Sequence, residues 1–518
     1  MSLDCEFIEV DALSSVNPIA VPLMFIPENT TKYKIDNFSA SNFFDSSARQ
    51  RLENAYHPLL EISSTINRRT VSFQLSKKAR VHGWLKYKEG FSADLVYMLL
   101  DDFGIKAGDT VLDPFLGSGT TSLVAQIRGI NSVGFDMLPT SEIAISAKQH
   151  ILDYDISELR SMRNALAALK VPKDYKGRVH SIPITDGAYP EHTDKALAYI
   201  LEWQKNNKFS EVANNLLLLC MVNSLERLSY TGKDGQYLRW DYRSDKVIES
   251  NRRRAEKGQA PFVTVLDKGE LPEAIEVISG EFDTMLTDIE HVQDNRSEDV
   301  SANIEFVQGS VLTQLPKLKS NSINAVITSP PYCNRYDYTR TYALELAFLG
   351  LDNDAVKKLR QTLLSATVEN RSKLEELETY YRSINRPKDY DQISKVITDC
   401  AALQETISAL KSRAKNGEIN NTGVVRMVEG YFTELTFVYA EIFRACKPGA
   451  SVAFVNDNVR YAGEIVSVDY ISTALAEALG FQPVKIISLK QQKGNSSQQM
   501  KKYGRAPLRK SITIWRKP

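Results

Sequence analysis

Thr110–Asp113 is a short β-forming run that ends on a carboxylate, and Gly117-Ser118-Gly119 follows before a helical pattern opens near Thr120. Asn131–Asp136 repeats the device: a second strand ends on an acid, and Pro139 then opens a helix over 141–150. Strand, glycine turn, helix, strand and helix in that order leave little choice of fold. The strands must lie parallel, with helices covering them.

The same alternation returns later in the chain. A strand is predicted at 304–307, another at Ile323–Thr328, and further strands at 451–455, 484–489 and 511–515, with helices at 427–446 and 470–479. Between these stretches the rhythm is lost. The spacing divides the chain into an N-terminal segment (1–80), a first core part (81–150), a helical insertion (151–302), a second core part (303–350), a helical hairpin insertion (351–427) and a third core part (428–518). The longest apolar run, 216–222, has seven residues, far short of the roughly 18 a membrane span requires. The first ten residues carry Asp4, Glu6 and Glu9 and do not resemble a secretory signal, so no membrane is expected and the cytoplasm is the expected compartment. Five scattered cysteines, without a CxxC pair, and six scattered histidines predict free thiols and no metal site.

The first motif narrows the ligand. Two glycines between a strand tip and a helix N-terminus let a small molecule approach the backbone, and Asp136 stands where an acid can meet a ribose. A dinucleotide would bring its pyrophosphate to this turn, but Asp113, directly before Pro114, repels phosphate and suits a cationic amine. S-adenosylmethionine, which carries an ammonium and a sulfonium, fits that requirement. The bland alternative is a structural turn between strand and helix.

The second motif is Thr328-Ser329-Pro330-Pro331-Tyr332. Two prolines in succession fix φ twice and remove two donors, so the Ser329 and Pro330 carbonyls point in set directions. The Ser329 hydroxyl and the Pro330 carbonyl offer two acceptors for an exocyclic amine, and Tyr332 offers a ring to stack on. Cys333 follows directly, and attack by its thiol is the competing chemistry; its surroundings suit a packed small residue better.

Asp113-Pro114-Phe115-Leu116-Gly117-Ser118-Gly119-Thr120-Thr121, taken with Thr328-Ser329-Pro330-Pro331-Tyr332, resembles the amino-methyltransferases that act on DNA, and the serine form resembles their cytosine-N4 branch. The resemblance covers 81–150, 303–350 and 428–518. It implies an α/β fold, a Rossmann-like class I methyltransferase sheet of seven strands, mostly parallel with a terminal antiparallel hairpin, carrying two helical insertions. S-adenosylmethionine is the implied cofactor, held by Asp113, Pro114, Phe115, Gly117, Ser118, Gly119, Thr120 and Asp136. Phe91 and Ser92 resemble the segment beside its methionine end. Ser310 stands where many relatives carry an Asp that meets the adenine. Ser329, Pro330, Pro331 and Tyr332 are the implied catalytic residues, holding a base flipped out of the duplex.

Zero net charge, with 64 Lys plus Arg against 64 Asp plus Glu, argues at first against a nucleic-acid partner. The charge is segregated, however. Residues 485–518 hold ten bases and no acid, 227–268 hold ten bases and six acids, and 270–305 hold eleven acids and one base. Aromatics interleave with bases in 230–254, which makes Lys233, Tyr237, Arg239, Trp240, Arg243, Arg252 and Arg253 candidate DNA contacts, with Lys501, Lys502, Arg505 and Arg509 from the C-terminal loop. The expected partner is double-stranded DNA, accompanied by family habit by a cognate restriction endonuclease. Adenine-N6 methylation, RNA methylation and a silent nucleic-acid binder are the competing readings.

Overall fold

The computed structural model describes residues 22–26, 29–40, 45–87, 90–234, 237–261, 265–295, 301–490, 500–504, 506 and 508–518. Thirteen strands lie among them: β1 (Phe25–Ile26), β2 (Leu60–Ser63), β3 (Thr110–Asp113), β4 (Asn131–Asp136), β5 (Thr231–Asp234), β6 (Tyr237–Trp240), β7 (Ile304–Gln308), β8 (Ile323–Thr328), β9 (Cys446–Asp457), β10 (Val459–Tyr461), β11 (Glu464–Val466), β12 (Gln482–Ser488) and β13 (Lys510–Arg516).

Nine strands form one sheet in the order β1-β2-β12-β13-β9-β8-β3-β4-β7. β3 lies inside it, parallel to β4 on one side and β8 on the other. Alternation along these strands sends Leu112, Val326, Val452 and Phe454 to one face, under the long helix Gly423–Ala445, and Val111, Ala325, Ile327, Ala453 and Val455 to the other, under helices Ala93–Asp102 and Thr120–Ile127. Both faces are covered, so β8 and β9 carry the unbroken apolar runs Ala325-Val326-Ile327 and Val452-Ala453-Phe454-Val455 at their centres. β13 runs antiparallel to both β9 and β12, which makes the expected terminal hairpin.

The seven-strand Rossmann-like sheet is therefore present, and the N-terminal residues extend it. β2 adds parallel to β12, pairing Ile62 with Ser488, and β1 adds antiparallel to β2. Buried ion pairs fasten this addition. Arg49 meets Glu405 at 2.8 Å and Glu464 at 3.0 Å. Arg509 meets Glu53 at 2.6 Å and Asp469 at 2.9 Å, and its guanidinium is 1% exposed. Arg509 is thus withdrawn from the set of DNA contacts expected from sequence. A guanidinium consumed by two buried carboxylates has no donor to offer a phosphate.

Residues 151–302 contain the helices Ile156–Ala167, Glu191–Asn206, Glu211–Leu228, Asp245–Glu256 and Ala274–Asp294, and the two-stranded hairpin β5-β6. The apolar run at 216–222 lies in the middle of this bundle, with Leu216, Leu219 and Met221 fully buried near Phe282 and Ile289. The acidic stretch now has a partner: Asp283 pairs with Arg163, Glu290 with Arg160 and Glu281 with Arg227. Residues 353–415 form four helices, Asn353–Thr362, Leu374–Ser383, Pro387–Asp399 and Ala401–Lys415, more than a single hairpin. Among the described residues no helix is long and apolar enough to cross a membrane.

Candidate active site

Chain order reverses at the centre of the sheet: β4 and β7 lie to one side of β3, β8 and β9 to the other. A crevice lies at the carboxyl ends of β3 and β8, the place where open α/β sheets bind ligands. Pro114, Phe115, Gly117, Ser118 and Thr120 line it from the turn after β3, Asp136 from β4, Gly309 and Ser310 from the turn after β7, and Ser329 and Pro331 from the turn after β8.

Asp113 joins these parts. Its carboxylate accepts hydrogen bonds from Phe115 N at 3.1 Å, Thr121 Oγ1 at 2.7 Å and Thr328 Oγ1 at 2.5 Å. The last bond ties the end of β8, and with it the Ser329-Pro330-Pro331-Tyr332 turn, to the glycine turn. A carboxylate has about four acceptor sites, so one remains for a ligand. Burial pushes the Asp113 carboxyl up to about 6, against the three donors that favour its charge.

Asp136 is pushed up to about 6 by the same cause. Gly117 N donates to one of its oxygens at 2.9 Å and Leu138 N to the other at 2.8 Å. Each oxygen keeps a lone pair, which suits two adjacent hydroxyls. Gly117 has φ +56°, and a Cβ there would lie 2.7 Å from Tyr87 Cε1; Gly119 has φ +83°, and a Cβ there would lie 3.0 Å from Ile145 Cγ1. The turn therefore needs glycine for conformation and for space. A buried lysine supports it from below. Lys148 Nζ donates to the Ser118 carbonyl at 2.7 Å and to the His82 carbonyl at 3.4 Å, and burial pulls its ammonium down to about 7.

These groups fit S-adenosylmethionine: a carboxylate site for an ammonium, paired lone pairs for a ribose diol and a bare backbone turn between them. Phe91 also lines the crevice, whereas Ser92 is buried at the head of helix Ala93–Asp102. Ser310 caps the short helix Val311–Gln314.

On the opposite wall Ser329 Oγ donates to the Tyr332 hydroxyl at 3.1 Å; Pro330 is buried, and neither it nor Tyr332 is among the residues that line the crevice. Cys333 is fully buried, and burial pushes its thiol far up, so it has neither access nor thiolate character.

A family described as DNA methylase matches residues 30–145. The Type II methyltransferase M.BsoBI of Geobacillus stearothermophilus is 51% identical over 486 residues, covering 94% of this chain and 95% of that protein. The Type II methyltransferase M.AvaI of Nostoc sp. is 36% identical over 489 residues, 90% of this chain and 92% of that protein. This chain belongs to the DNA methylase family. The Type II methyltransferase M.MjaII of Methanocaldococcus jannaschii shares a shorter stretch, 40% identical over 92 residues, 17% of this chain and 17% of that protein.

In this DNA methylase the basic side chains divide into inward and outward sets. Lys233 pairs with Glu345 at 2.5 Å, and its ammonium lies 4.5 Å from the centre of the Tyr342 ring, which itself stacks on Tyr87 at 5.6 Å. With 6% of its side chain exposed, Lys233 braces the aromatic wall of the crevice, and its expected role as a DNA contact is withdrawn. Arg243 donates through Nε and Nη2 to the two carboxylate oxygens of Asp241. Trp240 lies beneath Lys246. Outward are Arg239, paired with Asp234, then Arg252 and Arg253 beside Glu249, and Lys502 near Glu418. Tyr237 and Lys501 lie in β6 and a short helix, with only their backbones described, and Arg505 lies outside the described residues.

Among the contributors to the site that sequence reasoning missed, four matter most to its geometry. Thr121 and Thr328 lie inside the two motifs, and a hydroxyl beside a strand-tip acid was the signal available. Lys148 belongs to neither motif, and nothing in its neighbourhood marks it. The fourth is the segment Thr362, Leu363 and Leu364 of the second insertion, which also lines the crevice.

Proposed function

We propose that this DNA methylase transfers the methyl group of S-adenosylmethionine to the exocyclic N4 amine of cytosine in double-stranded DNA, acting on a base flipped out of the helix. The observation that carries the reading is the 2.5 Å bond from Thr328 to Asp113, because it holds the base-side turn against the donor-side turn. Asp113 and Asp136 would hold the donor by its ammonium and its ribose, over the Gly117-Ser118-Gly119 turn. S-adenosylmethionine supplies an electrophilic methyl group there.

The residues of this chain handle the other reactant. A cytosine amine is a weak nucleophile because its lone pair is delocalised into the ring. Hydrogen bonds from that amine to the Ser329 hydroxyl and the Pro330 carbonyl favour a pyramidal nitrogen whose lone pair faces the crevice, and Tyr332 supports the base plane. The methylated nitrogen then releases its proton to water. Serine at 329, in place of the acid or amide usual in adenine-N6 relatives, favours cytosine.

Arg239, Arg252, Arg253 and Lys502 are outward-facing bases suited to phosphate contact, and the 151–302 insertion that bears three of them is the proposed reader of sequence. The Type II names of the full-length relatives support a role in restriction–modification beside an endonuclease of the same specificity, acting on cytoplasmic DNA. Transfer of tritium from labelled S-adenosylmethionine to unmethylated duplex DNA tests the reading. Ser329→Ala is expected to slow transfer by about 10²-fold while donor affinity holds, the mark of an interaction made in the transition state. Equal rates for Ser329→Ala and wild type would remove Ser329 from the chemistry.

A further inference from the structure

We propose that Lys510 is a positioning residue for methyl transfer, holding the Tyr332 hydroxyl at the point where Ser329 is anchored, so that Ser329 turns its lone pairs toward the target amine. The inference rests on the reading of Ser329 as an amine acceptor.

Lys510 begins β13 and Asp457 ends β9, and the two are register partners across the sheet. Lys510 Nζ lies 3.1 Å from the Tyr332 hydroxyl, 3.3 Å from Asp457 Oδ2 and 4.6 Å from the centre of the Tyr332 ring. Burial opposes its charge, but Tyr332 and Asp457 outweigh that opposition and hold the ammonium protonated beyond its ordinary range. Lysine has three donors and no acceptor, so it can meet the phenol only through the phenolic oxygen. Ser329 Oγ donates to that same oxygen at 3.1 Å. A serine hydroxyl has one proton and two lone pairs. Once the proton is committed to Tyr332, the lone pairs are left for the amine, whereas an unanchored hydroxyl would rotate and present its proton instead.

The ammonium lies at the hydroxyl end of the Tyr332 ring, 4.6 Å from its centre. Lys510 thus differs from Lys502, which stays at the surface near Glu418, and from Arg509, which is spent on Glu53 and Asp469. It is turned inward onto the catalytic turn, with 19% of its side chain exposed.

The test uses full-length enzyme, S-adenosylmethionine and unmethylated phage DNA, and compares Lys510→Met, Lys510→Arg, Tyr332→Phe, Ser329→Ala and the double variant Lys510→Met/Tyr332→Phe. Lys510→Met is expected to lower kcat about tenfold, with KM for DNA and donor Kd within about twofold, and Lys510→Arg to recover most of the loss. In the Tyr332→Phe background Lys510→Met should cause no further loss, because both changes remove one interaction. Lys510→Met leaves Asp457 without its cation, so Lys510→Met/Asp457→Asn is measured alongside, and the same kcat deficit is expected in a protein that melts as the wild type does. A wild-type kcat for Lys510→Met, a raised KM for DNA with kcat intact, or a loss that multiplies in the Tyr332→Phe background would overturn the proposal. Failure of the underlying reading has a separate signature, wild-type transfer by Ser329→Ala, and that result overturns the proposal as well.

Discussion

Replacing Asp113 by asparagine separates two duties of one side chain. The carboxyl rises from the ordinary 3.8 to about 6 on burial. At about 1.4 kcal/mol for each tenfold change in proton affinity, keeping it ionised at neutral pH costs the folded protein about 3 kcal/mol. A purely structural position avoids that cost with an amide. In Asp113→Asn the side chain keeps one carbonyl oxygen for Phe115 N and the Thr328 hydroxyl, and its amide can donate to Thr121 Oγ1, whose own proton can turn to the Ile327 carbonyl now 3.5 Å away. The variant should therefore melt no lower than wild type at pH 7. The sign of the pH dependence follows from the direction of the shift. Because the folded group binds its proton more tightly than the unfolded one, the wild-type disadvantage is absent below about pH 4, grows as the pH rises to about 6 and is constant above it. Donor binding should move the opposite way. Losing one charge-assisted hydrogen bond to an ammonium removes about 1.5–3 kcal/mol, a ten- to hundredfold loss of affinity. Calorimetric titration with S-adenosylmethionine measures it, and a donor analogue without the amino group should bind wild type and Asp113→Asn alike. Unchanged affinity of Asp113→Asn for S-adenosylmethionine would refute the argument and leave Asp113 a structural residue.

Three further outcomes follow from the same geometry. Arg509→Met strands Glu53 and Asp469 without a cation, and calorimetric or denaturant unfolding should show a loss of about 3–5 kcal/mol, with the salt dependence of DNA binding unaltered. Gly117→Ala meets both a left-handed backbone and the Tyr87 ring; equilibrium titration should show donor affinity falling at least about tenfold for a strain of about 1–2 kcal/mol. Cys333→Ala should transfer methyl groups at close to the wild-type rate in the same tritium assay, because the thiol is buried and protonated.

The candidate site was legible because its parts are local. Thr110–Asp113, the glycine turn and Asn131–Asp136 each declare themselves within a few residues, and the two prolines after β8 restrict the backbone wherever they occur. Long-range partnerships left no such trace. β1 and β2 are two and four residues long, too short for a period, and they are strands only because the β12 edge is there to pair with. Charge counting grouped Arg509, Lys510 and Lys502 as one basic run. Their fates differ because Glu53, Asp469 and Asp457 are brought to the first two from distant segments, while Lys502 stays at the surface near Glu418. The acidic stretch misled in the same way: helix Ala274–Asp294 answers arginines on Ile156–Ala167 and Glu211–Leu228 across the bundle. Lys148 was invisible because an isolated lysine at a helix end carries no pattern.

The most direct test of the central claim is chemical identification of the product. Unmethylated duplex DNA incubated with this enzyme and S-adenosylmethionine labelled in the methyl group, then digested to nucleosides and resolved by mass spectrometry, should yield labelled N4-methylcytosine. Label on adenine N6 would contradict the assignment of the base, and label on no nucleoside of any DNA tested would contradict the account of the site itself.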